Sequence, residues 1–241
     1  MRRRHTTDKI IFDGHDLSKL VMCRMERPIL PPVDITETEV GSVGATFGRA
    51  RLKPYDLPVT LTLRNHDRRE VARIRHELAA MLYTEEPAPL QLPDDPDLYL
   101  LAIVSGDTSL GTITDDCAKA TVNFHVCDPI FYGRKHTVDL SAGVAKTLDF
   151  GGTWSTRPTF TVTGTGRAVT VTNVTTGDFV ATQAVVPSGR TLVVDMALER
   201  ATVNGTDVFV TDDSDFFRCK GRQSLLVANG AAQVEWSERW L

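Results

Sequence analysis

The run Asp128-Pro129-Ile130-Phe131-Tyr132-Gly133 limits the possible folds of this chain more than any other segment. It follows a strand-like stretch, Thr121 to Cys127, and precedes a second half rich in Thr, Val and Gly. Proline lacks a backbone donor and glycine accepts positive φ, so Pro129 and Gly133 are expected to end the strand and redirect the chain. The two sides are built differently, and 241 residues suffice for two units of roughly 100–130 residues each. The boundary is expected at 132/133, giving units 1–132 and 133–241.

Lys9 to Phe12 reads as a short strand, turned at Asp13-Gly14 and resumed from Leu17 to Cys23. Behind Pro28, Pro31 and Pro32, the residues Val33, Ile35 and Val40 alternate with acidic and threonine neighbours in the manner of an edge strand. Gly41, Gly44 and Gly48 then punctuate Val43, Ala45 and Phe47, which predicts a flexible or strongly twisted hairpin. Leu57, Val59, Leu61 and Leu63 alternate cleanly and predict a strand with one buried face. From Asn65 to Tyr83 the period becomes helical. Asp67 and Glu70 have capping-box spacing, and Val71, Ile74, Leu78 and Met81 fall on one stripe, with Leu82 beside it. Arg68, Arg69, Arg73 and Arg75 lie largely off that stripe, but Glu70 and Glu77 are interspersed. A solvated or subunit-contacting face is therefore expected, rather than a nucleic-acid site. Leu98 to Val104 is nearly continuous in apolar residues and predicts a strand buried on both faces. The first unit is thus one helix packed on a mostly antiparallel sheet system.

No window beyond Phe150 has a helical period. Short strands are expected at Thr159 to Thr163, Ala168 to Val174, Phe179 to Thr182, Thr191 to Met196, Ala201 to Val203, Val208 to Val210 and Ser224 to Val227. Asn204-Gly205 is the clearest hairpin, since both residues accept the positive φ of a type I′ turn. Gly164-Thr165-Gly166 before Arg167 echoes a phosphate loop, yet no helix follows, so it too is expected to be a hairpin turn. The closing strand places Ala232, Val234, Trp236 and Trp240 on one face and Gln233, Glu235, Ser237 and Arg239 on the other. The second unit reads as an all-β sandwich or jelly roll.

Composition narrows function further. With 27 basic and 31 acidic residues the formal charge is −4, which argues against a broad phosphate-gripping surface. Arg2-Arg3-Arg4 is the sole terminal basic run and is expected to be solvated. No apolar run approaches the roughly 18 residues of a membrane span, and no signal-peptide core follows the arginines. The chain is expected to be soluble and unexported. Cys23, Cys117, Cys127 and Cys219 form neither a CxxC pair nor a metal-finger spacing, so free buried thiols are expected. His125, Cys127 and Asp128 stand together, but His125 and Cys127 share one strand face, away from Val122, Phe124 and Val126, and lack an orienting third group. Asp94, Asp95 and Asp97, like Asp212, Asp213 and Asp215, lack a full calcium-loop pattern and read as solvated turns. Trp154, Trp236 and Trp240 are the aromatics a lectin could use, with Trp236 expected in the core. No catalytic, cofactor or metal residues are assigned.

Taken in order, these segments resemble the distal tail proteins (Dit) of long-tailed, non-contractile bacteriophages. The resemblance runs over essentially the whole length. It is carried by the Ile10-Ile11-Phe12-Asp13-Gly14 hairpin, Gly44-Ala45-Thr46-Phe47, the alternating strand before the capped helix, and Leu98-Tyr99-Leu100. Phe124-His125-Val126-Cys127-Asp128-Pro129 with its Tyr132-Gly133 exit, Thr156-Arg157-Pro158-Thr159-Phe160, Asn204-Gly205 and Trp236 to Trp240 complete it. The resemblance implies a mainly β protein, with an N-terminal β-sandwich carrying one α-helix (a belt domain) followed by a C-terminal galectin-like β-sandwich. It further implies a structural, non-enzymatic virion protein at the distal end of the tail. There it would form a homo-hexameric hub ring between the major tail (tube) protein and the baseplate or tail-tip hub protein, with genomic DNA passing through unbound. A mildly acidic conduit fits passing DNA. Some relatives insert an extra carbohydrate-binding module, for which this chain has no room. The alternative is a carbohydrate-binding module contacting the host through its C-terminal sandwich, and a tail-associated hydrolase is the weakest reading.

Overall fold

The computed structural model describes residues 7–65, 67–114 and 117–241. Arg2, Arg3 and Arg4 lie outside them. The chain divides into two compact units, Met1–Phe131 and Tyr132–Leu241.

In the N-terminal unit β1 (Ile11–Phe12) and β2 (His15–Asp16) pair across Asp13 and Gly14, whose φ of 47° and 77° are those of a type I′ turn. The expected strand from Leu17 to Cys23 is interrupted. The Asp16 carboxylate accepts from the Ser18 amide and caps a single 3-10 turn, Leu17–Lys19, so only β3 (Met22–Met25) is extended. A short acidic side chain that satisfies local backbone competes with the ladder. Next come β4 (Val33–Glu39), β5 (Ala45–Leu52) and β6 (Tyr55–Arg64). Tyr55, Leu57, Val59, Leu61 and Leu63 of β6 are buried, as the alternation requires.

Helix α1 (Arg68–Leu82) is capped by Asp67, which accepts from the Arg69 amide at 2.8 Å, and it buries Ile74 and Leu78. The capping box does not close. Asn65 Oδ1 takes the Asp67 amide at 2.9 Å, while Glu70 turns outward to Arg73. Beyond the helix lie β7 (Ala88–Leu92), β8 (Asp95–Ser105), β9 (Gly111–Thr114) and β10 (Cys117–Val126). The strands run β3-β6-β10-β8, extended through β7 to β1, with β9 also on β10. The strand at Leu98 to Val104 is not buried on both faces: Leu100 and Ala102 are in the core, but Leu98, Leu101 and Ile103 stay half-exposed.

This sheet curls over its own core. Phe12 on β1 meets Phe124 on β10 edge to face, ring centroids 5.0 Å apart, although β7 and β8 separate the two strands along the sheet. The Asp8 amide then donates to the Cys23 carbonyl at 3.0 Å, and the Thr7 hydroxyl accepts from the Cys23 amide at 2.9 Å. The outer edge of β3 is thereby occupied, which removes an unpaired edge.

The C-terminal unit is a two-sheet sandwich built from β11 (Phe131–Leu140), β12 (Lys146–Asp149), β13 (Thr159–Thr163), β14 (Thr170–Asn173) and β15 (Phe179–Ala181). It continues with β16 (Thr191–Asp195), β17 (Arg200–Val203), β18 (Thr206–Asp207), β19 (Arg222–Ala228) and β20 (Ala232–Trp240). One sheet runs β18-β17-β16-β13-β20-β11 and the other β12-β19-β14-β15. Phe160, Leu192, Val234 and Trp236 of the first share one core with Val171, Val180, Leu225 and Val227 of the second. Each such side chain contributes roughly 1.5–3 kcal/mol of burial.

Three expectations change here. Gly133 does not turn the chain but lies inside β11, leaving Pro129 as the break. Gly164 to Arg167 is not a hairpin: β13 pairs with β16 and β20, whereas β14 lies in the opposite sheet, so the segment crosses between sheets. The crossing is tight, since a Cβ on Gly164 would stand 2.4 Å from the Pro187 carbonyl oxygen. The strand expected at Val208 to Val210 moves to Thr206–Asp207, because the turn at Asn204 (φ 47°) and Gly205 (φ 84°) pairs its immediate flanks, Val203 with Thr206.

Candidate assembly surface

The strands β4 and β5 form a two-stranded ribbon of their own, in which every residue except Leu52 is exposed. An isolated ribbon is marginal in water, so its residues need a reason to be there. The register supplies one. Val33 pairs with Leu52, Ile35 with Ala50 and Glu37 with Phe47, while Asp34 pairs with Arg51 and Thr36 with Arg49. Partners across a ribbon share a face. One face therefore carries Val33, Ile35, Ala45, Phe47, Ala50 and Leu52 together with the carboxylates Glu37 and Glu39, and the other carries Asp34, Thr36, Arg49 and Arg51.

Phe47 and Ala50 are three residues apart and would alternate to opposite faces in a regular strand. A bulge opposite Thr36 and Glu37 leaves Gly48 as the extra residue and restores both to one side. Glycine is required there, because a Cβ would lie 2.9 Å from the Thr36 carbonyl oxygen. On the polar face, Lys53 Nζ stands 2.9 Å from Asp34 Oδ1, and its hydrogen bond holds the Asp34 carboxyl below the usual range. The apolar side chains of this face are open to solvent: Phe47 is 63% exposed, and Val33 and Ile35 are also exposed.

The residues singled out from sequence do not converge elsewhere. His125 Nδ1 is 2.8 Å from Asp56 Oδ1 across the β10–β6 pair, an ordinary cross-strand contact at a half-exposed position. Cys127 is exposed, and Cys117 is half-buried, so only Cys23 and Cys219 meet the expectation of buried thiols. Burial pushes both of these up to about 12. Asp95 pairs with Arg27, whose guanidinium also lies over the Phe131 ring at 5.0 Å. Ser214, not a carboxylate of that loop, ties the Asp212 to Asp215 turn to the Ala181 amide at 3.0 Å. Among the described residues no three or more His, Cys, Asp or Glu side chains stand together as metal ligands. No helix among them is long and apolar enough to cross a membrane. On α1, Arg73 is held between Glu70 and Glu77, and this pairing lowers the Glu70 carboxyl.

Two family models match the chain. Residues 12–126 match the phage tail protein RIFT-related domain, and residues 151–240 match the siphovirus-type tail component, C-terminal domain, of the SPP1 Dit model. The chain belongs to the Dit family of siphovirus-type tail proteins. Membership makes it a structural virion protein of the distal tail. Its fold is that of SPP1 Dit, described as a hub of the adsorption apparatus in phages infecting Gram-positive hosts, with a TM-score of 0.80 at 18% identity over 98% of this chain and 100% of that one. Chains of the phage P2 baseplate in its activated conformation, with calcium or with strontium, match less closely. Their TM-scores are 0.54 and 0.52, at 9% and 10% identity, over 97% and 95% of this chain and 98% and 96% of those. None of the curated proteins matches the chain at a significant level.

In this Dit-family chain Trp236 serves packing. Trp236 is 5% exposed, stacks on His136 at 5.0 Å and 16°, packs on Phe150 at 4.8 Å, and donates its indole N–H to the Phe150 carbonyl at 3.3 Å. His136 Nε2 contacts Glu238 Oε1 at 2.8 Å, completing a cluster that no sequence motif announces. Trp154 and Trp240 are half-buried, and the Trp154 amide donates to the Arg239 carbonyl. A shallow groove of about 310 Å³ beside β20 is lined by Tyr132, Arg157, Glu235 and Arg239. Its charges are paired within the unit: Glu235 with Lys135, and Arg157 with Glu199.

Proposed function

We propose that this protein is the ring-forming subunit of a phage tail tip, in which six copies join through the N-terminal unit into a hub between the tail tube and the baseplate or tail-tip complex. Family membership supplies the setting. The observation that supports ring formation is the β4–β5 ribbon, whose apolar face is aligned by a bulge and left uncovered by its own chain. A monomer has no use for such a face. The N-terminal sheet edge at β3 is closed by residues 7 and 8, which leaves the ribbon as the surface best suited to pairing with another copy. DNA would pass through the central opening without specific contacts, consistent with the net charge of −4.

The C-terminal unit acts in this proposal as a structural module rather than a sugar-binding one, because Trp236, its best stacking platform, is committed to the core. We likewise infer no hydrolytic activity, since among the described residues His125 is engaged with Asp56 and no hydrogen bond joins it to the exposed Cys127 thiol on the same face. Native mass spectrometry and negative-stain imaging of the purified chain test the reading. A closed six-fold ring is the expected result, and a strict monomer at high concentration, in a protein that also does not form a ring in particles, would refute it.

A further inference from the structure

A second apolar feature of the same unit is a crevice between α1 and the sheet, floored by buried core side chains and opening beside the half-buried Leu82 and Leu110. It is a groove of about 100 Å³ to which β6 and β10 contribute Leu61, Leu63 and Val122, α1 contributes Leu78 and Leu82, and the loop before β9 contributes Leu110. Arg75 and Thr108, both exposed, stand at its rim. Arg75 differs from Arg73, two residues earlier and on another side of α1, in having no carboxylate partner among the described residues. An apolar groove with an uncompensated cation at its lip suits an apolar side chain flanked by a carboxylate.

The ribbon presents that combination. Phe47 stands opposite Glu37 across β4 and β5, on the apolar face, with Glu39 next along the same face. Directly opposed residues have Cβ atoms roughly 4.5–5.5 Å apart, close enough for one aromatic ring and one carboxylate to engage a groove and its rim together. Neither Glu37 nor Glu39 has a cationic partner among the described residues, since Lys53 is taken by Asp34 on the other face.

We propose that Phe47 of one copy inserts into the α1 groove of the next copy, with Glu37 pairing with Arg75 at the rim. The inference rests on the ring reading above and names the contact that closes it. Ribbon and groove are different surfaces of one chain, so the contact is head-to-tail, the geometry that builds a ring when the rotation closes. Burying an aromatic anchor inside a ring of polar contacts is also how interfaces concentrate their affinity.

The test mixes two singly substituted proteins, Glu37→Cys and Arg75→Cys, each carrying Cys127→Ser to remove the exposed thiol, under a mild oxidant. A disulfide-linked dimer is expected only in the mixture, because the bond requires two copies in head-to-tail contact. In parallel, Phe47→Ala should raise the concentration for half-assembly roughly tenfold or more with no change in thermal midpoint, since the side chain is exposed in the single copy. Glu37→Arg and Arg75→Glu should each weaken assembly, and the double exchange should restore it. A wild-type ring with no cross-link in the mixture and full assembly of Phe47→Ala overturns this contact and leaves the ring reading intact. A wild-type chain that never assembles overturns both.

Discussion

Gly48 on β5 sits directly against the Thr36 carbonyl on β4, so that even a methyl group there would approach the oxygen to 2.9 Å. The contact makes the bulge, and the bulge puts Phe47, Ala50 and Leu52 on one face. Substituting Gly48→Ala should cost the ribbon about 1–3 kcal/mol through backbone displacement and scramble its faces. Ring assembly should fall sharply while the melting of the N-terminal core is unchanged, since no residue of β4 or β5 belongs to that core. Assembly indistinguishable from wild type would show that the bulge has no part in docking.

The ribbon should also change its susceptibility to proteolysis on assembly. Gly41 and Gly44 adopt φ of 65° and 85° in its turn, and ordering glycine carries a large entropy cost. Limited digestion should cut between Gly41 and Arg51 in dilute monomer and spare the segment in the ring. Equal cleavage in both states would mean that the ribbon stays free after assembly.

Trp236 links three elements of the sandwich, through stacking on His136 of β11, packing on Phe150 and an indole hydrogen bond to the Phe150 carbonyl. Trp236→Ala should destabilise the C-terminal unit by about 3–5 kcal/mol, the range for truncating a buried aromatic. Trp236→Phe should recover most of that and leave only the hydrogen-bond contribution. The measurement is guanidinium unfolding of residues 132–241, which should fold alone because their core cluster, Leu140 to Trp236, is drawn wholly from within the unit. A fragment without a cooperative transition would refute the independence of the unit.

The parts legible in the sequence were those where one local rule decides. Alternation in Leu57 to Leu63 placed β6, Asp67 marked the helix start, and Asn204-Gly205 marked a type I′ turn, all as found. Errors arose where a local signal met a non-local demand. Gly133 signals a turn by composition but sits in a paired strand, and Gly164 serves a sheet crossing whose tightness is set by Pro187, a residue distant in sequence. The strands β11 and β12 were missed because Phe131 to Asp149 mixes charged and apolar residues without a steady period. The ribbon was visible as a glycine-rich hairpin, but its single apolar face was not, since the odd spacing of Phe47 and Ala50 makes sense only with the bulge in register. The α1 groove had no sequence signal, because its lining comes from two strands, a helix and a loop.

The four cysteines should separate by reactivity. Thiolate is the reactive form, and burial pushes Cys23 and Cys219 from 9.0 up to about 12, with the Asp16 and Asp8 carboxylates adding to the effect at Cys23. At pH 8 a thiol-specific chromogenic reagent should modify exposed Cys127 quickly and half-buried Cys117 more slowly, leaving Cys23 and Cys219 untouched until denaturant is added. The same shifts fix the direction of the alkaline response. Below pH 9 these two thiols are protonated both folded and unfolded, so they add no pH dependence there. Between pH 9 and about 12 only the unfolded chain releases the protons, so stability should decline as pH rises through that window. Replacing both residues with Ser should flatten that decline, whatever it does to overall stability. Rapid modification of all four thiols in the native protein at pH 8 would show that the two cores open far more readily than their packing implies.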